Sequence, residues 1–205
     1  MTEKEKMLAG KIYDPSETEL ATLRRNAHKL CKDYNDTYED ETEKRAEILS
    51  KLMPNLGKGS YVQGPIYFDY GLFIKTGERC YVNFNWTALD VCPITLGDDV
   101  FIGPNCMMAA PVHPLLPRER HLKLHENGEA YDDEYGKPIT VKDGCWIASN
   151  VVICGGVTIG EGSVIGAGSV VTKDIPSGVF AAGNPCRVIR KITEEDSVLL
   201  KKELW

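Results

Sequence analysis

The chain has 205 residues, 42% of them apolar and 26% charged, with a formal net charge of −6, which suits one good-sized domain or a domain with a small appendage. No run of about 18 apolar residues is present, so no membrane-spanning helix is expected, and the acidic balance argues against nonspecific nucleic-acid binding. Seven cysteines, an odd set without a CxxC pair, and an N-terminus MTEKEKMLAGK without an apolar h-region predict reduced thiols in a cytoplasm.

Residues 1–58 read as a helical segment. Ser16 with Glu19 makes a capping box, and behind it Leu20, Leu23, Ala27, Leu30, Cys31 and Tyr34 recur at helical spacing to build one apolar stripe. A second helix runs through ETEKRAEILSKLM and stops before Pro54. Both are amphipathic and need a surface to lie against.

From about residue 59 to 185 the period becomes six. Val141, Ile147, Ile153, Ile159, Ile165 and Val171 are evenly spaced, and four positions after each hexad start stand small or β-branched residues: Cys145, Val151, Val157, Ser163 and Ser169. An α-helix cannot turn a period of six into one face. A flat followed by a bend can, and three flats per coil make a triangular prism with the first residue of each hexad inside. The pattern predicts a mainly β protein built as a parallel β-helix of hexapeptide repeats. Continued upstream, the register places Ile66, Leu72, Glu78, Phe84, Asp90, Leu96 and Ile102 inside.

The interval from Ile102 to Val141 is not a multiple of six, so a loop of roughly residues 109–137 leaves the prism and returns. Loops this long inside a compact repeat are usually functional. At its root stands His113, between Pro111 and Pro114 in APVHP, on chain stiffened by proline. A neutral imidazole is a natural base for a hydroxyl near pH 7; a loop histidine packed for stability is the plainer alternative. After the last coil, Lys173, Arg187, Arg190 and Lys191 face one acid, Asp174, a basic end suited to phosphates or a solvated cluster without a ligand. In the tail (186–205), Thr193 with Asp196 can cap a C-terminal helix through TEEDSVLLKKELW.

MLAGKIYD, NFNWTALDVCPITLGDDVFIGPN, the VHP histidine, EYGKPI and VIGAGSVVTKDIPSGVFAAGNPCRVIRKI together resemble the maltose/galactoside O-acetyltransferases over nearly the whole chain. The resemblance implies a left-handed β-helix, a homotrimer with active sites between subunits, and acetyl transfer from acetyl-coenzyme A to a sugar hydroxyl. It implies His113 as general base. Asp69 and Asn83 fall at the acceptor, Asn83 also bordering the cofactor. Ser149 and Ala167 fall along the pantetheine arm, and Thr172, Lys173, Arg187 and Arg190 at the nucleotide end. The loop is longer than in the galactoside enzyme, and LDV carries Asp90 with Val91 where the galactoside type has a second acid, which leans the acceptor toward glucosides.

Taken by themselves, several of these residues keep two readings. Asn83 can donate and accept at a hydroxyl, or turn a prism corner. Asp90 holds an inward position where a charge is costly, so it is either turned out to the acceptor by a bulge or paired. Glu134 can accept from the imidazole or the sugar, or be a surface carboxylate. Trimeric β-helices can also hold zinc on three histidines, but His121 and His125 lie in the charged insertion, off the coils, and no metal is expected. A non-sugar acceptor, or a noncatalytic sugar-binding scaffold, is the remaining alternative. The trimer also follows from the prism: its interior is filled and its outside flat, so a cleft for coenzyme A needs a neighbouring prism.

Overall fold

Hexad starts Val141, Ile147, Ile153, Ile159, Ile165 and Val171 are all fully buried, and the computed structural model, which describes residues 1–204, shows how. Val141 lies beside Ile159, Ile147 beside Ile165 and Ile153 beside Val171 in three parallel sheets, so one coil takes 18 residues. The first face carries six parallel strands, from Tyr61–Val62 to Val179–Ala182, closed by antiparallel Arg187–Lys191. The second has five strands, from Ile66–Phe68 to Val170–Val171, and the third four, from Ile74–Thr76 to Thr158–Ile159. The chain visits first, second and third face in turn, as a parallel β-helix requires. Two corners need a left-handed residue on coil after coil: Arg79, Asp99, Gly144 and Gly162 before the first face, and Asn85, Asn105, Asn150 and Gly168 after it. Asn, Asp and Gly tolerate that conformation most readily.

The upstream register differs from the expected one. Val62, Val82 and Ile102 are stacked neighbours, as are Ile74 and Ile94, so these coils take 20 residues. Glu78 and Phe84 are exposed, whereas Tyr70, Thr76, Val82, Ala88, Ile94 and Val100 are buried. The two extra residues lie at the corner between second and third faces, where Ala88 to Ile94 covers the step that Ile153 to Val157 makes downstream. From that same corner the long loop departs after Met107–Ala109 and returns at Ile139–Val141.

An open end of a β-helix presents unpaired strand edges, and two of the three N-terminal helices, the second and third, cover it. Helix α1 spans Glu3–Leu8, α2 Thr18–Asn35 and α3 Thr42–Leu52. Asn35 at the end of α2 accepts from the Ile66 N–H at 2.8 Å and donates to the Ile66 carbonyl at 2.9 Å, standing in for a neighbouring strand. Buried Arg45 on α3 donates to the carbonyls of Val62 and Gln63 at 3.0 and 2.7 Å. The α2 cap is Glu17, whose carboxylate accepts from the Glu19 and Leu20 N–H groups; Ser16 is instead engaged by the Asp14 carboxylate. No described helix is long and apolar enough to cross a membrane.

The tail forms three 3₁₀ turns, Glu194–Asp196, Val198–Leu200 and Lys202–Leu204, in place of the expected α-helix. The Thr193–Asp196 capping box is present, but Leu199 and Leu200 stay 76% and 66% exposed, so no buried face stabilises a longer helix. Trp205 lies outside the described residues.

Candidate active site

Pro111–Val112 pairs antiparallel with Tyr135–Gly136, and Val112 opposite Tyr135 sets His113 opposite Glu134. His113 Nδ1 is 3.2 Å from an Asp132 carboxylate oxygen, and Nε2 is 3.7 Å from Glu134, beyond ordinary hydrogen-bond reach. Glu134 is fixed from the far side. The Tyr13 hydroxyl donates to its carboxylate, and the Tyr13 N–H donates to its carbonyl at 3.0 Å. The N-terminal segment thus braces the strand that carries the loop back to the prism.

The surroundings are partly buried and rich in acid. Burial pushes the Glu134 carboxyl up, against the Tyr13 hydrogen bond and the His113 charge. Asp69 is pushed up to about 6 by burial first and then by Asp90 and Glu134, with Arg24 opposing. Arg24 donates to the Tyr70 hydroxyl at 3.3 Å and to the Pro15 carbonyl at 3.2 Å. Asp69 also borders a groove of about 460 Å³ between α2 and the second face, with His28, Cys31, Tyr67 and Leu89.

Asp90 is turned into the fold. It is fully buried and accepts from the backbone N–H groups of Tyr70 at 2.8 Å and Phe73 at 3.2 Å. The widened corner leaves those donors without a strand partner, and the carboxylate supplies one. Burial pushes its pKa up while the backbone hydrogen bonds pull it down. Of the two sequence readings, pairing is the one the structure contains.

The remaining predicted residues occupy other edges of the prism. Asn83 stands at the corner between first and second faces, its side-chain oxygen accepting from the Phe84 N–H at 2.8 Å. Ser149 and Ala167 follow on the same ridge, stacked by the register of Ile147 with Ile165. Thr172 and Lys173 come directly after Val170–Val171, on the edge from which the His113 loop leaves two coils earlier. The two ridges are separated by the second face, roughly 16 Å for five residues at about 3.3 Å each. Arg187 and Arg190 lie on the closing strand. Arg190 is held by Asp196 through contacts of 2.7 and 2.6 Å and lies over the Phe180 ring, and its hydrogen bonds, with that of the Thr193 N–H, hold the Asp196 carboxyl down at about 2.

The histidines do not assemble: His125 contacts Asp14 at 2.8 Å, and among the described residues no group of three or more His, Cys, Asp or Glu could hold a metal ion.

Sequence reasoning missed Tyr13, Asp132 and Arg24, which have no local signal; Tyr13 and Glu134 lie 121 residues apart. It also missed a ladder of Tyr61, Tyr81, Phe101 and Trp146 down the outside of the first face. An aromatic residue directly before an inward position on successive coils was the available signal. Tyr61, Phe101 and Trp146 are 41%, 51% and 54% exposed, a contiguous apolar strip of the kind that marks an interaction surface.

Residues 6–57 match the maltose acetyltransferase hexapeptide capping motif, and residues 138–173 the bacterial transferase hexapeptide (six repeats). The chain is 42% identical to a galactoside O-acetyltransferase of Escherichia coli K12, over 94% of this chain and 90% of that protein. It resembles the crystal structure of a maltose O-acetyltransferase from Clostridium difficile 630 with TM-score 0.85 and 45% identity, covering 95% and 99% of the two chains. A galactoside acetyltransferase in complex with coenzyme A matches with TM-score 0.86 and 41% identity, covering 96% of this chain and 94% of that one.

Proposed function

The chain belongs to the maltose and galactoside O-acetyltransferases, acetyl-CoA-dependent enzymes of hexapeptide-repeat fold, and from that premise we propose that it acetylates a sugar hydroxyl with His113 as general base. One observation carries the reading. The half-exposed imidazole is held at the loop root with Nδ1 3.2 Å from a carboxylate oxygen, while Nε2 has no partner within hydrogen-bond reach among the described residues.

The chemistry follows from that placement. Nε2 takes the proton of the acceptor hydroxyl as its oxygen attacks the thioester carbonyl. The tetrahedral intermediate collapses, the carbon–sulfur bond breaks, and the imidazolium returns the proton to the departing thiolate. In this reading Asp69 and Glu134 accept from other sugar hydroxyls. Direct transfer is supported by the cysteines, since burial pushes the thiols of Cys31, Cys80, Cys92, Cys106, Cys145 and Cys186 up and away from thiolate. Seven free cysteines also support a reducing cytoplasm.

The assembly we propose is a trimer with a site at each interface. Its support is the separation of the two ridges, His113 with Thr172 and Lys173 on one, Asn83 with Ser149 and Ala167 on the other. Opposed ridges of neighbouring prisms would form one cleft, with Arg187 and Arg190 at its phosphate end, and the aromatic strip gives neighbouring chains an apolar surface to bury. Complementation tests the whole reading. His113→Ala should lower kcat roughly 10²–10⁴-fold, with acetyl-CoA KM little changed, and Asn83→Ala should also lose most turnover. Co-assembled at equal amounts, the two variants should recover about a quarter of wild-type sites, because an interface joining an intact His113 to an intact Asn83 re-forms. Near-normal turnover in His113→Ala overturns the base; no recovery on mixing overturns the shared site. A panel of glucosides, maltose and galactosides, read by free thiol release, identifies the acceptor.

A further inference from the structure

Four consecutive residues, 131–134, on the chain that runs from the hairpin strand Ala130–Tyr131 to Tyr135–Gly136 are each tied to something. Tyr131 stacks on the His125 ring at 4.2 Å, and Asp133 pairs with Lys123. Asp132 and Glu134 face the His113 imidazole, the first from Nδ1 at 3.2 Å and the second from Nε2 at 3.7 Å. The partners alternate, so Tyr131 and Asp133 grip the inserted hairpin Lys123–Leu124/Ala130–Tyr131 while Asp132 and Glu134 flank the His113 ring. The hairpin in turn is docked on the N-terminal segment, with His125 Nε2 at 2.8 Å from Asp14 and 3.4 Å from the Ser16 hydroxyl.

We propose that Asp132 is the positioning residue for His113: its carboxylate accepts the Nδ1–H and so leaves Nε2 as the nitrogen that removes the acceptor proton. The inference rests on the reading of His113 as base and adds which nitrogen acts and what selects it. The other tautomer would set an Nδ1 lone pair beside a carboxylate oxygen 3.2 Å away and leave the Nε2–H with Glu134 3.7 Å off. The charged groups around the ring are Asp132 and Glu134, with Tyr13 and Arg24 behind Glu134. Glu134 is already engaged by Tyr13, which makes Asp132 the freer acceptor. During transfer the Nδ1–H stays on the ring, and only the Nε2 proton moves, from hydroxyl to imidazole to sulfur. On this reading the long insertion serves catalysis by delivering Asp132.

Asp132→Asn is the decisive variant, because the amide keeps the shape of the carboxylate but can donate to Nδ1 and trap the wrong tautomer. Two readouts are taken: steady-state rates, and ring ¹⁵N shifts of the neutral imidazole in the free enzyme. The expected result is a kcat lower by roughly 10- to 100-fold, acetyl-CoA KM within about threefold, and a ring signal moved from a single Nδ1–H form toward Nε2–H. Asp132→Ala should give a mixed tautomer signal and a similar loss. A merely structural role would leave the isosteric amide with wild-type rate and spectrum, and that result overturns the proposal, as does a loss of kcat with the ring signal unchanged. If His113→Ala retains turnover, the base assignment falls by itself, and the ring spectrum still decides whether Asp132 sets the tautomer.

Discussion

Replacing Asp90 with Ala separates a structural carboxylate from an acceptor contact. In the folded chain the side chain is fully buried and receives the N–H groups of Tyr70 and Phe73 at 2.8 and 3.2 Å. Alanine leaves two donors in the widened corner without a partner, each costing about 1–3 kcal/mol. Relief from burying a carboxylate offsets part of that sum, so a net loss of about 2–4 kcal/mol is expected. For a chain of this size that lowers Tm by roughly 5–15 °C. Melting should be followed at one fixed protein concentration, since assembly contributes to apparent stability. Initial rates are then measured well below the lowered Tm. The expected outcome is a large drop in Tm with acceptor KM and kcat within about threefold of wild type. A Tm within about 2 °C of wild type, combined with an acceptor KM raised tenfold or more, would refute the reasoning and return Asp90 to the acceptor site.

Two further outcomes follow from burial and from close packing. The Asp69 carboxyl is pushed up to about 6 in the fold from an ordinary value of 3.8, so its favourable contribution is full below about pH 4 and is lost as pH rises through about 6. Asp69→Asn should therefore melt higher than wild type at pH 8 and converge with it near pH 4, and an equal gap at both would show that burial is not the cause. At Gly97 an added Cβ would stand 2.0 Å from an Asp143 carboxylate oxygen and 2.7 Å from its backbone nitrogen, while that oxygen caps the Asp98 N–H at 2.9 Å. Gly97→Ala should cost about 2–4 kcal/mol, read as a lowered Tm, and a wild-type Tm would mean the coil spacing yields freely.

What could be read from the residues is whatever repeats or is punctuated locally. The strict period from Val141 to Val171 exposes its inward set because every coil there takes 18 residues and each hexad start is buried. The position of the loop, the stiffened histidine at its root and the helical N-terminal segment are equally local signals. They determine a β-helix interrupted once, with one imidazole held near its surface.

Phase and contact across the chain were decided only by tertiary structure. A widened corner adds two residues per coil upstream, so a count of six carried back from Val141 loses phase there; Val82 and Ala88 go inside where Glu78 and Phe84 were expected. The partner of Asp90 is backbone, and backbone donors carry no letter in a sequence. The tail fails as a helix because Leu199 and Leu200 meet no surface in this chain. Tyr13 and Glu134 meet across 121 residues, and Asp132 reaches His113 because a docked hairpin sets which side of the returning chain faces the ring. Each is a consequence of three-dimensional closure: the pattern of apolar side chains specifies the coil, and the coil then chooses which polar groups become neighbours.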